Sequence, residues 1–499
     1  MSERIYTGTL EYRSIEFQFV FDGELLTLIT PKQHQREVEW GWLKKEIGPG
    51  VYTYGEPLTV GVPYLSGRCH ETNKQMIFLT HESSIIGSRN STLLVSVVGM
   101  IEANRADTLF SRLTLSSPEL NFIHPINRAF FQEVNFEDLE KDGIISVKTN
   151  GFDATTTTQH PFTVDGKNAS IHFSVGWKCS TKNNEPPIVL SSSMIFEFEE
   201  TNDYWFLRKL WNIAETMVQL LTFRQNAKIS ECKLQARFDE KRFHDVGTFK
   251  LTRDAVAPDE HSLEKGRYIS LQLLDSHEGD LIALIADEKI YLRHIPKSSE
   301  DARSIDASSF VMTTAAFEWE FSQSYPNGVV KQDKRVRAEE CALKEIDSAI
   351  SNTTGDAKAI LKFAKKSIGF TSLEEKVVQA GRDFDSVIGI FGKHLYSLNG
   401  EEFDYRMIGN RLATQRNDFA HGNIDKEFNG AAILDLLFLR YLIYALQLRR
   451  IGVSDSSIQI AINDLFSKKL ALPEEKHTDG TTDDRFNIAD DSVLEAGED

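Results

Sequence analysis

Cysteine is scarce and scattered. The four residues Cys69, Cys179, Cys232 and Cys341 form no C-x-x-C pair and join no histidine at zinc-ligand spacing, which argues against both a disulfide framework and a structural zinc. A secretory h-region is also missing, because MSERIYTGTLEYR runs from its charges into alternating polar and apolar residues; cytoplasmic localisation is the expectation. No segment reads as a membrane span. The most apolar run, residues 431–448, is interrupted by Asp435 and Arg440 and falls short of the roughly 20 apolar residues a bilayer requires, so it reads as a buried helix of a soluble protein. The signatures G-x-x-x-x-G-K-[ST], G-x-S-x-G, H-E-x-x-H and G-x-G-x-x-G are absent too. Gly389-Ile390-Phe391-Gly392-Lys393-His394 resembles a phosphate loop in composition, but it lies mid-helix with no strand before it and no Ser or Thr after Lys393. Close helix packing is the better use of its two glycines.

Positive charge is in short supply as well. The chain carries a net charge of −18, which disfavours a general nucleic-acid binder. The deficit is uneven: residues 331–450 hold 19 Lys/Arg against 17 Asp/Glu, residues 451–499 hold 4 against 12, and −12 is left for residues 1–330. RNA, if bound, meets least repulsion in 331–450.

What is present divides the chain in two. Up to about residue 320, apolar residues recur with the period of two that half-buried strands show: Ile15, Phe17, Phe19 and Phe21, followed by a hairpin turn at Asp22-Gly23; Ile171, Phe173, Val175 and Trp177; Met194, Phe196 and Phe198; Ile269, Leu271 and Leu273; and Phe317, Trp319 and Phe321. One helix interrupts them, capped by Thr201-Asn202-Asp203 and striped by Phe206, Leu210, Ile213 and Met217. Ser324-Tyr325-Pro326-Asn327-Gly328 marks a turn and linker. Helices are predicted beyond it over about 332–351, 356–368, 373–398 behind the capping box Ser372-Leu373-Glu374-Glu375, 402–421 and 430–450. The expected architecture is α+β, with a β-rich domain over 1–325 and an all-α bundle over 330–453. Residues 454–499 would add a short helix and an acidic tail too poor in apolar residues to fold.

Polarity breaks the apolar stripe of one of these helices. Tyr405, Ile408, Leu412 and Phe419 recur at helical spacing, and the stripe next calls for an apolar side chain at 415 or 416, where Gln415 and Arg416 stand. The break belongs to Arg416-Asn417-Asp418-Phe419-Ala420-His421, with Gly422 placed to stop the helix. His421 would sit at the negative end of the helix dipole, which favours its cationic form. A permanently charged guanidinium beside a titratable imidazole suits acid and base chemistry on a phosphate. A plainer role is open as well: Arg416 pairing with a carboxylate such as Asp418 or Asp435, and His421 bonding the last helix carbonyls.

Those six residues match R-x-x-x-x-H with a polar residue after the arginine, set between the last long helices of an all-α bundle; in this the chain resembles the HEPN superfamily. With the β-rich region in front, residues 1–450 are similar to bacterial anti-phage factors that join a β-rich N-terminal domain to a C-terminal HEPN domain. The resemblance implies an abortive-infection endoribonuclease that needs no metal or other cofactor. It also implies a homodimer through the HEPN domain whose two motifs share one cleft, and attack of an RNA 2′-hydroxyl on its own phosphate. Arg416 would then stabilise charge on the phosphate, His421 would move the proton, Asn417 would orient either, and Asp418 would lie against the substrate. RNA is the implied partner, a structured one such as a tRNA, with a phage-derived trigger at the N-terminal domain and no membrane. The alternative is a non-catalytic HEPN-like module that binds a nucleotide or a protein. A dimer is also expected on physical grounds, since the helix at 431–448 is apolar on nearly every face and a partner chain could cover what four neighbours leave bare.

Overall fold

A computed structural model describes residues 4–54, 57–89, 92–133, 146–149, 155–239, 242–252, 259–420, 427–428 and 430–472. Among them, a large antiparallel sheet over residues 6–251 precedes a helical region. The alternating patterns account for much of the sheet. Ile15–Phe21 turns back on Leu25–Ile29 with Phe21 opposite Leu26, and the Asp22 carboxylate holds the turn by accepting the amides of Glu24 and Leu25. Those two bonds pull the Asp22 carboxyl below its ordinary range. Lys167–Cys179 and Ile188–Thr201 form the longest pair, with Phe173 opposite Met194.

The sheet separates two cores, and single strands feed both. In Gln75–Leu79, Met76 and Phe78 enter a core with Phe17, Phe19 and Leu28, whereas Ile77 and Leu79 enter the opposite one. Gly99–Ala103 does the same with Met100 against Ile101. Alternation of side chains across the pleat makes this possible, and it is why Gln75–Leu79 reads as nearly continuously apolar. The second core runs without interruption from the sheet into the helices. It contains α1 (Tyr204–Thr222), whose N-terminus is capped as expected by Asp203 accepting the Phe206 amide at 3.1 Å.

Two expected strands are not strands. Leu271–Leu274 is a 3-10 turn, and Phe317, Trp319 and Phe321 lie in a helix. After α2 (Glu278–Ala286) comes α3 (Ala307–Ser324), opened by a capping box in which Asp306 accepts the Ser309 amide and the Ser309 hydroxyl accepts the Asp306 amide. Phe317 and Phe321 are four apart, which is two strand periods but also about one helical turn, so one helix face buries both, with Phe310, while Trp319 stays partly exposed. The helical region therefore begins before the Pro326-Asn327 turn, which is present with the Gly328 amide bonded to the Tyr325 carbonyl and Gly328 at φ +73°.

Beyond the turn lie α4 (Asp333–Ser351), α5 (Gly355–Ser367), α6 (Leu373–Asp383), α7 (Asp385–Ser397), α8 (Tyr405–Ala420), α9 (Gly430–Arg450) and α10 (Asp455–Leu465). The Ser372–Glu375 capping box is made reciprocally. The helix predicted over 373–398 is broken in two at Phe384, whose φ of −109° and ψ of 12° leave helical geometry. Gly392 does serve close packing: a Cβ there would stand 2.2 Å from the Phe403 ring. The tail predicted beyond 473 lies outside the described residues.

Helix α9 changes one argument. Its length and composition would let it cross a membrane, but most of it is buried inside this single chain, as in a core helix of a soluble protein. Leu436, Phe438, Tyr441, Leu442, Tyr444 and Ala445 are fully covered, Leu434 and Leu437 are half-buried, and the Tyr444 hydroxyl donates to the Leu220 carbonyl of α1. The β-rich half thus contributes cover that the bundle alone lacks. The apolar excess of α9 gives no reason to invoke a partner chain.

Arg440, also on α9, is the least satisfied charge in that core. It is 4% exposed, donates to the Ala302 carbonyl at 3.2 Å and lies 5.5 Å over the Phe223 ring; among the described residues its Nε has no partner and it makes no ion pair. Burial pulls it down to about 10 and, with Arg440 beside it, holds His294 neutral down to about 3. A buried charge without a counterion is costly. Arg440→Met is expected to be at least as stable as the parent, with a gain of up to about 1–4 kcal/mol. Thermal unfolding checks it, and a loss of several kcal/mol would show that the guanidinium has an anionic partner.

Candidate functional site

Helix α8 starts on a cap, the Asp404 carboxylate accepting the Met407 amide at 2.8 Å. Its stripe is what the spacing required. Ile408 and Leu412 are fully buried and Gln415 is buried, so the polar residue on the stripe itself is Gln415. Two small residues let α6 and α8 approach closely: a Cβ on Gly409 would stand 2.8 Å from the Glu374 Cα, and one on Gly381 would run into the Tyr405 ring. At the far end Phe419 packs 5.6 Å from Phe310 and 4.8 Å from Phe428, fixing the last turn against α3.

Two ionic clusters hang from this helix. Arg411 donates twice to Asp435 at 2.7 Å, and the Tyr396 hydroxyl donates to the same carboxylate at 2.5 Å. Asp435 is completely buried, so α7, α8 and α9 are tied together inside the core. Burial pushes the Asp435 carboxyl up, an effect that Arg411 and Tyr396 oppose, and burial next to that carboxylate raises the Tyr396 hydroxyl far above its ordinary value.

The second cluster is at the surface. Arg416 donates to Glu318 of α3 at 2.9 Å, and Lys376 of α6 donates to the other oxygen of the same carboxylate at 2.8 Å. The Arg416 side chain keeps 37% of its exposure. Two cations on one carboxylate leave a local positive surplus on three helices of an acidic chain. The pair is partly buried, with Glu318 at 21% exposure and Arg416 at 37%, so it is worth somewhat more than the roughly 0–1 kcal/mol of an exposed pair, and a phosphate oxygen that replaces Glu318 has to supply an equivalent charged acceptor. The guanidinium stays charged throughout and offers planar, two-point donation.

Of the residues singled out by sequence, Asn417 is exposed one position round the helix from Arg416, and Asp418 is half-buried. His421 and Gly422 lie outside the described residues. Arg416 pairs with neither Asp418 nor Asp435, the carboxylates that a purely structural role had suggested. Its actual partner is Glu318, whose carboxylate it shares with Lys376, and neither stands out in the sequence: Glu318 sits in the segment read as a strand, and Lys376 follows the capping box without further distinction.

Among the described residues, no three His, Cys, Asp or Glu side chains gather as a metal site requires. A cleft of about 490 Å³ lies elsewhere, in the β-rich region, lined by His81, Lys167, Trp205, Arg208 and Lys209. Lys167 pairs there with Asp203 and Lys209 with Asp165. It shares no residue with the Arg416 cluster. Compared with protein-family models, curated proteins and solved structures, the chain matches none of them.

Proposed function

We propose that the chain is an anti-phage endoribonuclease of the HEPN superfamily, of the ApeA type, cytoplasmic and dimeric, which cleaves host RNA such as tRNA without a metal. The observation that carries the reading is Arg416: a half-exposed guanidinium at the end of α8, held by a replaceable surface carboxylate and reinforced by Lys376, five residues before His421. In the reaction, the O2′–P bond forms and the P–O5′ bond breaks, leaving a 2′,3′-cyclic phosphate and a 5′-hydroxyl. His421 moves the proton, and Arg416 neutralises charge as it grows on the phosphate. Asn417, exposed beside it, orients the phosphate or the imidazole, and Asp418 borders the substrate.

The β-rich half is assigned the sensing of a phage-derived trigger or the restraint of the bundle. Its 490 Å³ cleft and the exposed pair Trp40–Tyr52, 4.5 Å apart with Lys44 over the indole, support a ligand-binding role. A non-catalytic module is the second reading, favoured by the fact that Arg416 already has a carboxylate partner.

RNA from cells overproducing the protein separates the two. Cuts at defined sites are expected with the parent and none with His421→Ala, and purified protein should keep cutting in excess chelator because an imidazole and a guanidinium do the chemistry. Uncut RNA with the parent would leave the binding module, and chelator inhibition reversed by magnesium would indicate a metallonuclease.

A further inference from the structure

Helices α4 and α5 form a hairpin in which neither helix has a fully buried residue. They pair with each other, Lys365 bridging to Asp347, and half-bury Leu343, Ile346, Ile350, Leu361 and Ile368. Their outer side is left bare. Ile360 is 68% exposed, Phe363 72% and, just past the helix, Phe370 74%. Ile360 and Phe363 are neighbours on α5 by their spacing of three, and Lys362 and Lys366, also exposed, run beside them at a spacing of four. Helices with so little packing are marginal by themselves, and large apolar side chains left this exposed on one hairpin are what a docking segment would cover.

The charge on the page selects the occupant. Residues 331–370 carry nine Lys/Arg against six Asp/Glu, in a chain whose net charge is −18. A second copy meeting this face across a two-fold axis would set the Lys362–Lys366 strip near its own image. Residues 473–499 have the opposite character: ten Asp/Glu against two Lys/Arg, with Phe486, Ile488, Val493 and Leu494 set among them. Reach is no obstacle, since the fourteen residues from Leu472 to Phe486 extend to about 50 Å.

We propose that residues 473–499 dock on the outer face of the α4–α5 hairpin of the same chain, their apolar residues on Ile360, Phe363 and Phe370 and their carboxylates on Lys362 and Lys366. The docking does not depend on the ribonuclease reading. A labelled peptide of residues 473–499 tests it, titrated into the protein truncated after Leu472. The peptide should bind the truncated protein, bind more weakly to the full chain where its place is taken, and lose affinity as salt rises. Lys362→Glu with Lys366→Glu should weaken it about tenfold or more, the loss of several ionic contacts. Phe363→Asp should do so too, and that exposed position leaves the fold intact. Equal binding to truncated protein and both variants, or no binding, overturns the proposal. So does sedimentation of the truncated protein as a dimer that Phe363→Asp dissolves, which would give the face to a second copy, or retention of RNA through Lys362 and Lys366, which would give it to a nucleic acid.

Discussion

Asp435→Ala should cost about 3–5 kcal/mol of stability, the penalty for removing one partner of a buried pair. Asp435 is fully buried and accepts from Arg411 twice and from Tyr396 once. Alanine would strand a guanidinium whose side chain is only 18% exposed and a phenol with no water to replace its acceptor. Domains have about 5–15 kcal/mol in all, so the denaturation midpoint should fall clearly. The source of the loss is separable. If the stranded charge dominates, Arg411→Met in the Asp435→Leu background should recover most of it, because a buried pair exchanged for apolar residues of similar size is often neutral. A single variant within about 1 kcal/mol of the parent would contradict the assignment of Asp435 as the tie between α7, α8 and α9.

Legibility follows from how local each cause is. The Ile15–Phe21 hairpin, the Asp203 cap and the Ser372–Glu375 box are written within a few residues of where they act, and the structure has all three. Helix α3 is ambiguous in sequence because Phe317 and Phe321 satisfy a period of two and a spacing of four at once; the Asp306-to-Ser309 cap is the local sign that decides between them. The strand pattern conceals Glu318. Even a correct reading would not have paired it with Arg416, since the two are 98 residues apart and only the packing of α3 beside α8 brings them together. The cover on α9 was illegible for the same reason: Leu220, whose carbonyl takes the Tyr444 hydroxyl, belongs to a helix 224 residues upstream. Arg416 itself is legible because it adjoins the polar break in the stripe, which the structure places at Gln415, and opens the R-x-x-x-x-H pattern, and neither sign needs a partner to be noticed.

Arg416→Ala is expected to lower RNA cleavage by about 10²–10³, the effect of losing one donor to a developing oxyanion, while stability falls by only about 1 kcal/mol because the pair with Glu318 is partly exposed and Lys376 still neutralises that carboxylate. Glu318 supplies the control. If the ion pair is only structural, both variants should lower stability slightly, Glu318→Gln the more because it also releases Lys376, and neither should touch cleavage selectively. If phosphate displaces Glu318, the two variants diverge. Glu318→Gln removes the competitor and leaves Arg416 and Lys376 both positive, so substrate should bind at least as tightly and cleavage should persist. Arg416→Lys keeps the charge but loses the planar two-point fork, and its rate should fall between those of the parent and the alanine variant. Single-turnover cleavage of a defined tRNA, measured with denaturant melts of the same preparations, reads all four proteins. Full activity in Arg416→Ala, or inactivity that tracks its unfolding, would remove Arg416 from the chemistry and return it to the helix surface as a structural ion pair.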